Sequence, residues 1–267
     1  MTEIIDRRGL KAEMRELLRG AQVDPRMFAA LFLLLTAALG ALDSLVSGGT
    51  TAGNPLSLFV RILTSLLSAV LSVGFVLYCM AVRRGQRAEY LTLFDGFTFA
   101  GRIIGLALLQ ALFITLWSML FVIPGIIAAY RYQFAYFNLC ENPELGCMDA
   151  LEMSKQQTMG YKGQLFSLDL SYLGWGLLAS LPAGIWTSYV TYSSAFSILY
   201  GTGYASLSTG ASLGVSLLCS LWSVAVQIFY LPAYQCVQLG YYEVAKRTSG
   251  VSPISASDRP DSNGFDL

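Results

Sequence analysis

Between Leu170 and Tyr242 the chain has no Asp, Glu, Lys or Arg. That is more than a quarter of its 267 residues, and no soluble domain leaves so long a stretch uncharged. A helix rises about 1.5 Å per residue and the hydrocarbon core of a bilayer is about 30 Å thick, so one crossing takes about 20 residues. The stretch is too long for one crossing and suits two, joined by a loop outside. The chain therefore reads as an all-α protein, a polytopic bundle of transmembrane helices.

Composition agrees. Apolar residues make up 55% and charged residues 13%, about half the roughly 25% usual in soluble proteins. Seventeen basic and seventeen acidic residues cancel, so no bulk charge draws nucleic acid. There is no histidine, which removes the commonest metal ligand and the usual near-neutral acid–base group. None of the five cysteines, Cys79, Cys140, Cys147, Cys219 and Cys236, forms a CxxC pair. They read as small, buried, reduced residues, and a zinc site is not expected. No cofactor is implied.

The first 26 residues carry eleven charges, unlike a secretory leader, so an uncleaved cytoplasmic N-terminus is expected. Residues 3–19 place Leu10, Met14, Leu17 and Leu18 on one helical face, ringed by Arg7, Arg8, Lys11, Arg15 and Arg19. The pattern fits a helix lying on the inner leaflet or one facing solvent. Apolar spans follow at 27–46 and 56–82. Arg83, Arg84 and Arg87 come straight after the second, a strong signal for the cytoplasmic side. Residues 90–101 read as interfacial, with a turn at Asp95-Gly96.

Residues 103–140 carry one charge, Arg131. As a single helix they would run about 57 Å, too far for one crossing. Pro124-Gly125 near the middle is the expected break, because proline removes a backbone donor and glycine relaxes the chain. Spans are expected at 103–121 and 126–140. Asn142-Pro143-Glu144 has the residues of a helix start: a cap, a proline at the first position and an acid in the first turn. It opens an expected cytoplasmic helix, 142–159. Further spans are expected at 165–185 and 210–231, separated by a Tyr- and Ser-rich outer interface at 186–208. Residues 27–247 thus form a transmembrane domain, and 248–267 an expected disordered tail.

Charge sets the count. With six spans, fifteen of the seventeen Lys and Arg fall in cytoplasmic segments, and Arg61 and Arg131 lie in spans. With five, Lys155 and Lys162 would lie outside and the termini would face opposite sides. Six spans with both termini cytoplasmic is the expectation.

Several pieces occur in order: Leu93-Phe94-Asp95-Gly96-Phe97, Trp117 through Ile127 with its Phe-Val-Ile-Pro-Gly-Ile-Ile core, Tyr130 and Tyr132, and Glu141-Asn142-Pro143-Glu144-Leu145. Ala150 through Lys155, Met159-Gly160-Tyr161-Lys162 and Leu173-Gly174-Trp175 follow. Over roughly residues 90–180 the chain resembles a family of uncharacterised bacterial multi-pass integral membrane proteins, mostly Gram-positive, described only as a domain of unknown function. The resemblance implies a helical protein of the plasma membrane and carries no activity.

Four ionisable residues sit inside expected spans: Asp43, Arg61, Arg131 and Asp169. A charge at mid-span costs roughly 2.5–3.5 kcal/mol on insertion scales, so each should pair or face a cavity. Asp43 with Arg61 and Arg131 with Asp169 are the natural pairs; an ion or substrate path is the other reading. Gly210-Ala211-Ser212-Leu213-Gly214 matches GxSxG, but it starts a membrane span and the chain has no histidine base. Gly101–Gly105 and Gly210–Gly214 also match GxxxG, a close-packing motif. Ser154-Lys155 are adjacent on a helix and diverge by about 100°, so they form no dyad. No phosphate-binding or dinucleotide loop appears. The expected function is a non-enzymatic scaffold, assembly or envelope-associated factor. The alternative is a small transporter or channel using the broken 103–140 hairpin and the embedded charges, and a lipid-handling enzyme is disfavoured. The expected partners are the lipid bilayer and another membrane protein or a second copy.

Overall fold

The computed structural model describes residues 7–20, 23–48, 55–200 and 209–253. Nine α-helices follow in order among the described residues: α1 Arg7–Arg19, α2 Pro25–Gly48, α3 Pro55–Arg83, α4 Ala100–Leu120, α5 Val122–Tyr132, α6 Ala135–Glu141, α7 Cys147–Gln157, α8 Lys162–Tyr200 and α9 Thr209–Ser249. A 3-10 helix, Tyr90–Phe99, connects α3 to α4. The described residues contain no strand. The chain is an all-α polytopic membrane bundle. Among the described residues four segments are long and apolar enough to cross a bilayer: Pro25–Val46, Pro55–Arg83, Tyr90–Leu120 and Gly214–Ser249.

The buried core gathers at the end of the bundle that carries the arginines. α3 shows this within one helix. Its second half buries Val70, Val73, Phe75, Tyr78 and Met80, while Leu56, Phe59, Ile62 and Leu63 of its first half are exposed. Outward-facing leucines of that kind suit hydrocarbon as solvent. α1 rests in part on the bundle. Met14 is 1% exposed, and Leu10 lies against Gly240 of α9. Part of the apolar face of α1 is therefore buried on protein, while Leu17 stays 36% exposed.

The 3-10 helix runs through Asp95-Gly96, so the turn expected there is absent. Gly96 serves contact instead: a Cβ on it would lie 2.8 Å from the Val70 carbonyl oxygen. Gly74 of α3 meets the Leu93 backbone in the same way. The two backbones touch because neither glycine carries a side chain.

Three further expectations need correction. The helix breaks at Phe121, which is extended (φ −158°, ψ 148°), and not at Pro124-Gly125. Pro124 is the third residue of α5, where an amide without an intrahelical partner costs nothing to lose. Gly125 lets α5 fold back on α4: a Cβ there would sit 3.0 Å from Ser118 Cα. Phe113 meets Tyr132 further along, with ring centroids 5.9 Å apart. The expected span 126–140 is two short helices, α5 and α6, separated at Gln133–Phe134. α5 has 11 residues, about 16 Å of rise, too short to cross alone.

The helix expected from Asn142-Pro143-Glu144 begins at Cys147, with Gly146 as its cap residue. The Asn142 side chain does accept a backbone N–H, but from Glu144 at 3.1 Å, closing a turn. Leu145 N–H to Asn142 O at 3.1 Å completes it. An asparagine can make this bond in a turn or at a cap, and here the turn wins. The last two expected spans are parts of longer helices. α8 continues through Pro182 to Tyr200, and α9 through Pro232 to Ser249. Prolines are tolerated inside membrane helices where neighbours satisfy the freed groups. The described part of 186–208 is thus helical up to Tyr200; the rest of it, residues 3–6 and most of the expected tail lie outside the described residues.

Candidate functional site: an embedded carboxylate and a polar cap

Asp169 sits two turns into α8 and its two oxygens are each taken. The Tyr130 hydroxyl of α5 donates to Oδ2 at 2.7 Å. The Tyr234 hydroxyl of α9 donates to Oδ1 at 2.8 Å. Gln238, one turn on, donates from Nε2 to the Tyr234 hydroxyl oxygen at 2.6 Å. Tyr172 packs edge-on against Tyr234, centroids 5.2 Å apart. Lys11 of α1 then reaches in, donating to Ser171 Oγ at 2.9 Å with its ammonium 4.3 Å above the Tyr172 ring. Three helices thus converge on one carboxylate through tyrosine hydroxyls, which bury a ring and supply a strong donor.

The expected ion pairs do not form. Among the described residues no salt bridge joins Arg131 to Asp169 or Asp43 to Arg61. Arg131 contributes its carbonyl, which accepts from Ser154 Oγ at 2.9 Å and Thr158 Oγ1 at 3.3 Å. Asp43 Oδ1 is buried without a hydrogen-bond partner, and Arg61 is exposed on α3. Phe134 N–H donates to Ser154 Oγ at 3.1 Å, so Ser154 stitches α7 to the α5–α6 junction. Of the GxxxG glycines in α4, Gly105 packs against Cys147 Sγ and Gly101 faces open space.

A second cluster, at the arginine-rich end, was not anticipated. Asn138 of α6 and Gln157 of α7 exchange hydrogen bonds, each 2.9 Å. Both side chains are fully buried, as are Ser154 and Thr158. The Tyr242 hydroxyl of α9 lies 3.0 Å from both Asn138 Oδ1 and Glu141 Oε2. Lys246 Nζ stands 2.5 Å from Glu141 Oε2 and Arg84 Nη2 3.6 Å from Oε1. Gln157 Nε2 also donates to the Val251 carbonyl at 3.1 Å. Arg83 pairs with Glu243 at 2.6 Å, and its Nη1 lies 3.3 Å from Met14 Sδ. α1, α3, α6, α7 and α9 are thereby tied into one cap. A sequence signal did exist: Glu141 and Ser154 both lie in pieces that carry the family resemblance.

Among the described residues no group of three or more His, Cys, Asp or Glu could hold a metal ion.

Residues 119–246 match the model of a family described as a protein of unknown function, DUF975. The match takes in Tyr130, Asp169 and Tyr234 together with Asn138, Glu141, Gln157 and Tyr242, while Lys11, Met14, Arg83, Arg84 and Val251, which also take part in the two clusters, lie outside it. α1, α2 and α3 fall outside it. No curated protein and no solved structure matches the chain.

Proposed function

We propose that this protein is a non-enzymatic scaffold or assembly factor of the bacterial plasma membrane, spanning it six times with both termini in the cytoplasm. The cap is the observation that supports this reading. Its buried amides and hydroxyls bond to one another, an arrangement that fixes shape and leaves no reactive group exposed. Met148 of α7 and Met159, in the turn just past its end, are 60% and 67% exposed, and Asp149, Glu152 and Gln156 of α7 are exposed as well. A rigid platform with a mixed apolar and charged face suits a protein partner, a second membrane protein or another copy of this chain. A photo-crosslinking residue placed singly at Met148, Glu152 and Met159 in cells tests it. A discrete protein adduct at these sites, absent for residues on the lipid side such as Leu116, is expected; no adduct at any of the three would contradict it.

A second reading, passage of a small solute, is favoured by one observation: a carboxylate held inside the bundle by neutral donors, which a mobile cation or proton could approach. Proteoliposome flux that is lost in Asp169→Asn with normal expression supports that reading. Retained flux in Asp169→Asn removes it.

A further inference from the structure

Ser216, Ser220, Ser223 and Gln227 recur at helical spacing along α9, which puts them on one stripe. Neither the cap nor the Asp169 cluster uses them. α2 and α8 flank α9 and leave a cavity of about 430 Å³ over this stripe. Thr36 of α2 lines it, with Trp186 and Thr187 of α8 and Ser220, Ser223 and Gln227 of α9, and no charged side chain does. The volume lies in the range of small-molecule sites, roughly 300–1,000 Å³.

Several of the hydrogens of these groups are already committed. Thr36 Oγ1 donates to the Leu33 carbonyl at 3.0 Å, Thr187 Oγ1 to Ala183 at 2.8 Å and Ser220 Oγ to Ser216 at 2.9 Å. Gln227 Nε2 donates to Ser223 Oγ at 2.8 Å. The hydroxyl oxygens and Gln227 Oε1 keep unused lone pairs. The wall therefore offers several acceptors and an indole ring, with no charge. Polar oxygens within a membrane bundle are costly to leave dry. A cation would find no carboxylate in the lining and an anion no positive charge. A neutral group with several O–H donors satisfies the acceptors, and its C–H face can lie on Trp186.

We propose that the cavity between α2, α8 and α9 binds a neutral polyhydroxyl group, carried by a free sugar or polyol or by the glycosyl headgroup of a membrane lipid. The inference does not depend on the scaffold reading.

Cys219 also lines the cavity and supplies the reporter. The full chain, keeping Cys219 as its one cysteine, is placed in phosphatidylglycerol nanodiscs and labelled with a small hydrophilic maleimide. Methyl β-glucoside, sorbitol, or monoglucosyl diacylglycerol built into the nanodisc serve as probes. Labelling without a probe, slowed saturably by one or more of them, is expected. Protection by the soluble probes alone assigns a free solute, by the glucosyl lipid alone a headgroup, and either supports the proposal. Thr187→Val with Ser220→Ala should raise the half-protecting concentration about tenfold, as for two lost hydrogen bonds. Failure of Cys219 to react at all, protection by none of the three probes, or protection unchanged in the double variant would overturn it. The parent chain's protection stands as a test even if that variant does not fold.

Discussion

The Tyr234 hydroxyl donates to Asp169 Oδ1 at 2.8 Å across the α8–α9 interface, while Tyr130 holds the other oxygen from α5. The carboxylate is thus met by two neutral donors from different helices and, among the described residues, by no ion-pairing cation. Each donor lowers the cost of an acid within the bundle, and removal of either leaves an oxygen with no partner in a poorly solvated place.

Tyr130→Phe and Tyr234→Phe should each destabilise the protein by about 1–3 kcal/mol, as expected for stranding a polar oxygen. Thermal unfolding in nanodiscs measures this. Arg131→Gln should change stability much less, because the arginine side chain makes no ion pair with Asp169. Rescue of an Arg131→Asp, Asp169→Arg swap would argue for the ion pair instead.

Asn138 and Gln157 are both fully buried and bonded to each other twice. Asn138→Leu or Gln157→Leu alone should cost about 1–3 kcal/mol, since each strands the other amide. The double substitution should cost less than the sum, and a double-mutant cycle gives the coupling. Strict additivity would mean the two side chains act independently.

Gly74→Ala and Gly96→Ala should each destabilise by roughly 1–3 kcal/mol through overpacking, because the added carbon meets backbone that cannot rotate away. Gly101→Ala should be nearly neutral, since nothing lies within 4 Å of its missing side chain. Expression level and unfolding temperature of the three variants check the contrast.

Asp43→Asn should leave stability unchanged or raise it. Asp43 Oδ1 is buried with no partner, so the charge carries a desolvation cost without a matching bond. Marked destabilisation of Asp43→Asn would show that the carboxylate has an essential cationic partner.

How far the sequence could be read follows from which forces act locally. The bilayer acts along the chain: helix rise against membrane thickness turns the uncharged stretch from Leu170 to Tyr242 into long apolar helices, and α2 and α3 lie within two residues of their expected ends. The break near Pro124 was legible but displaced, since proline suits the first turn of the next helix and the chain turns ahead of it, at Phe121. Asn142 was ambiguous because a capping bond and a turn bond use the same side-chain oxygen. The Asp169 partners were missed for a different reason. Pairing charges with charges overlooks tyrosine, whose hydroxyl satisfies a carboxylate without a second charge. Asn138 and Gln157 are 19 residues apart, and Tyr242 approaches from another helix, so their meeting depends on tertiary packing alone.

The central claim is a polytopic bundle with its polar cap on the cytoplasmic side. Single cysteines at Gln156, beside the cap, and at Ser194, near the far end of α8, test it in a background lacking the five native cysteines. A membrane-impermeant maleimide is applied to intact and then to permeabilised cells. Ser194→Cys should label in intact cells and Gln156→Cys only after permeabilisation. Labelling of Gln156→Cys in intact cells would contradict the account.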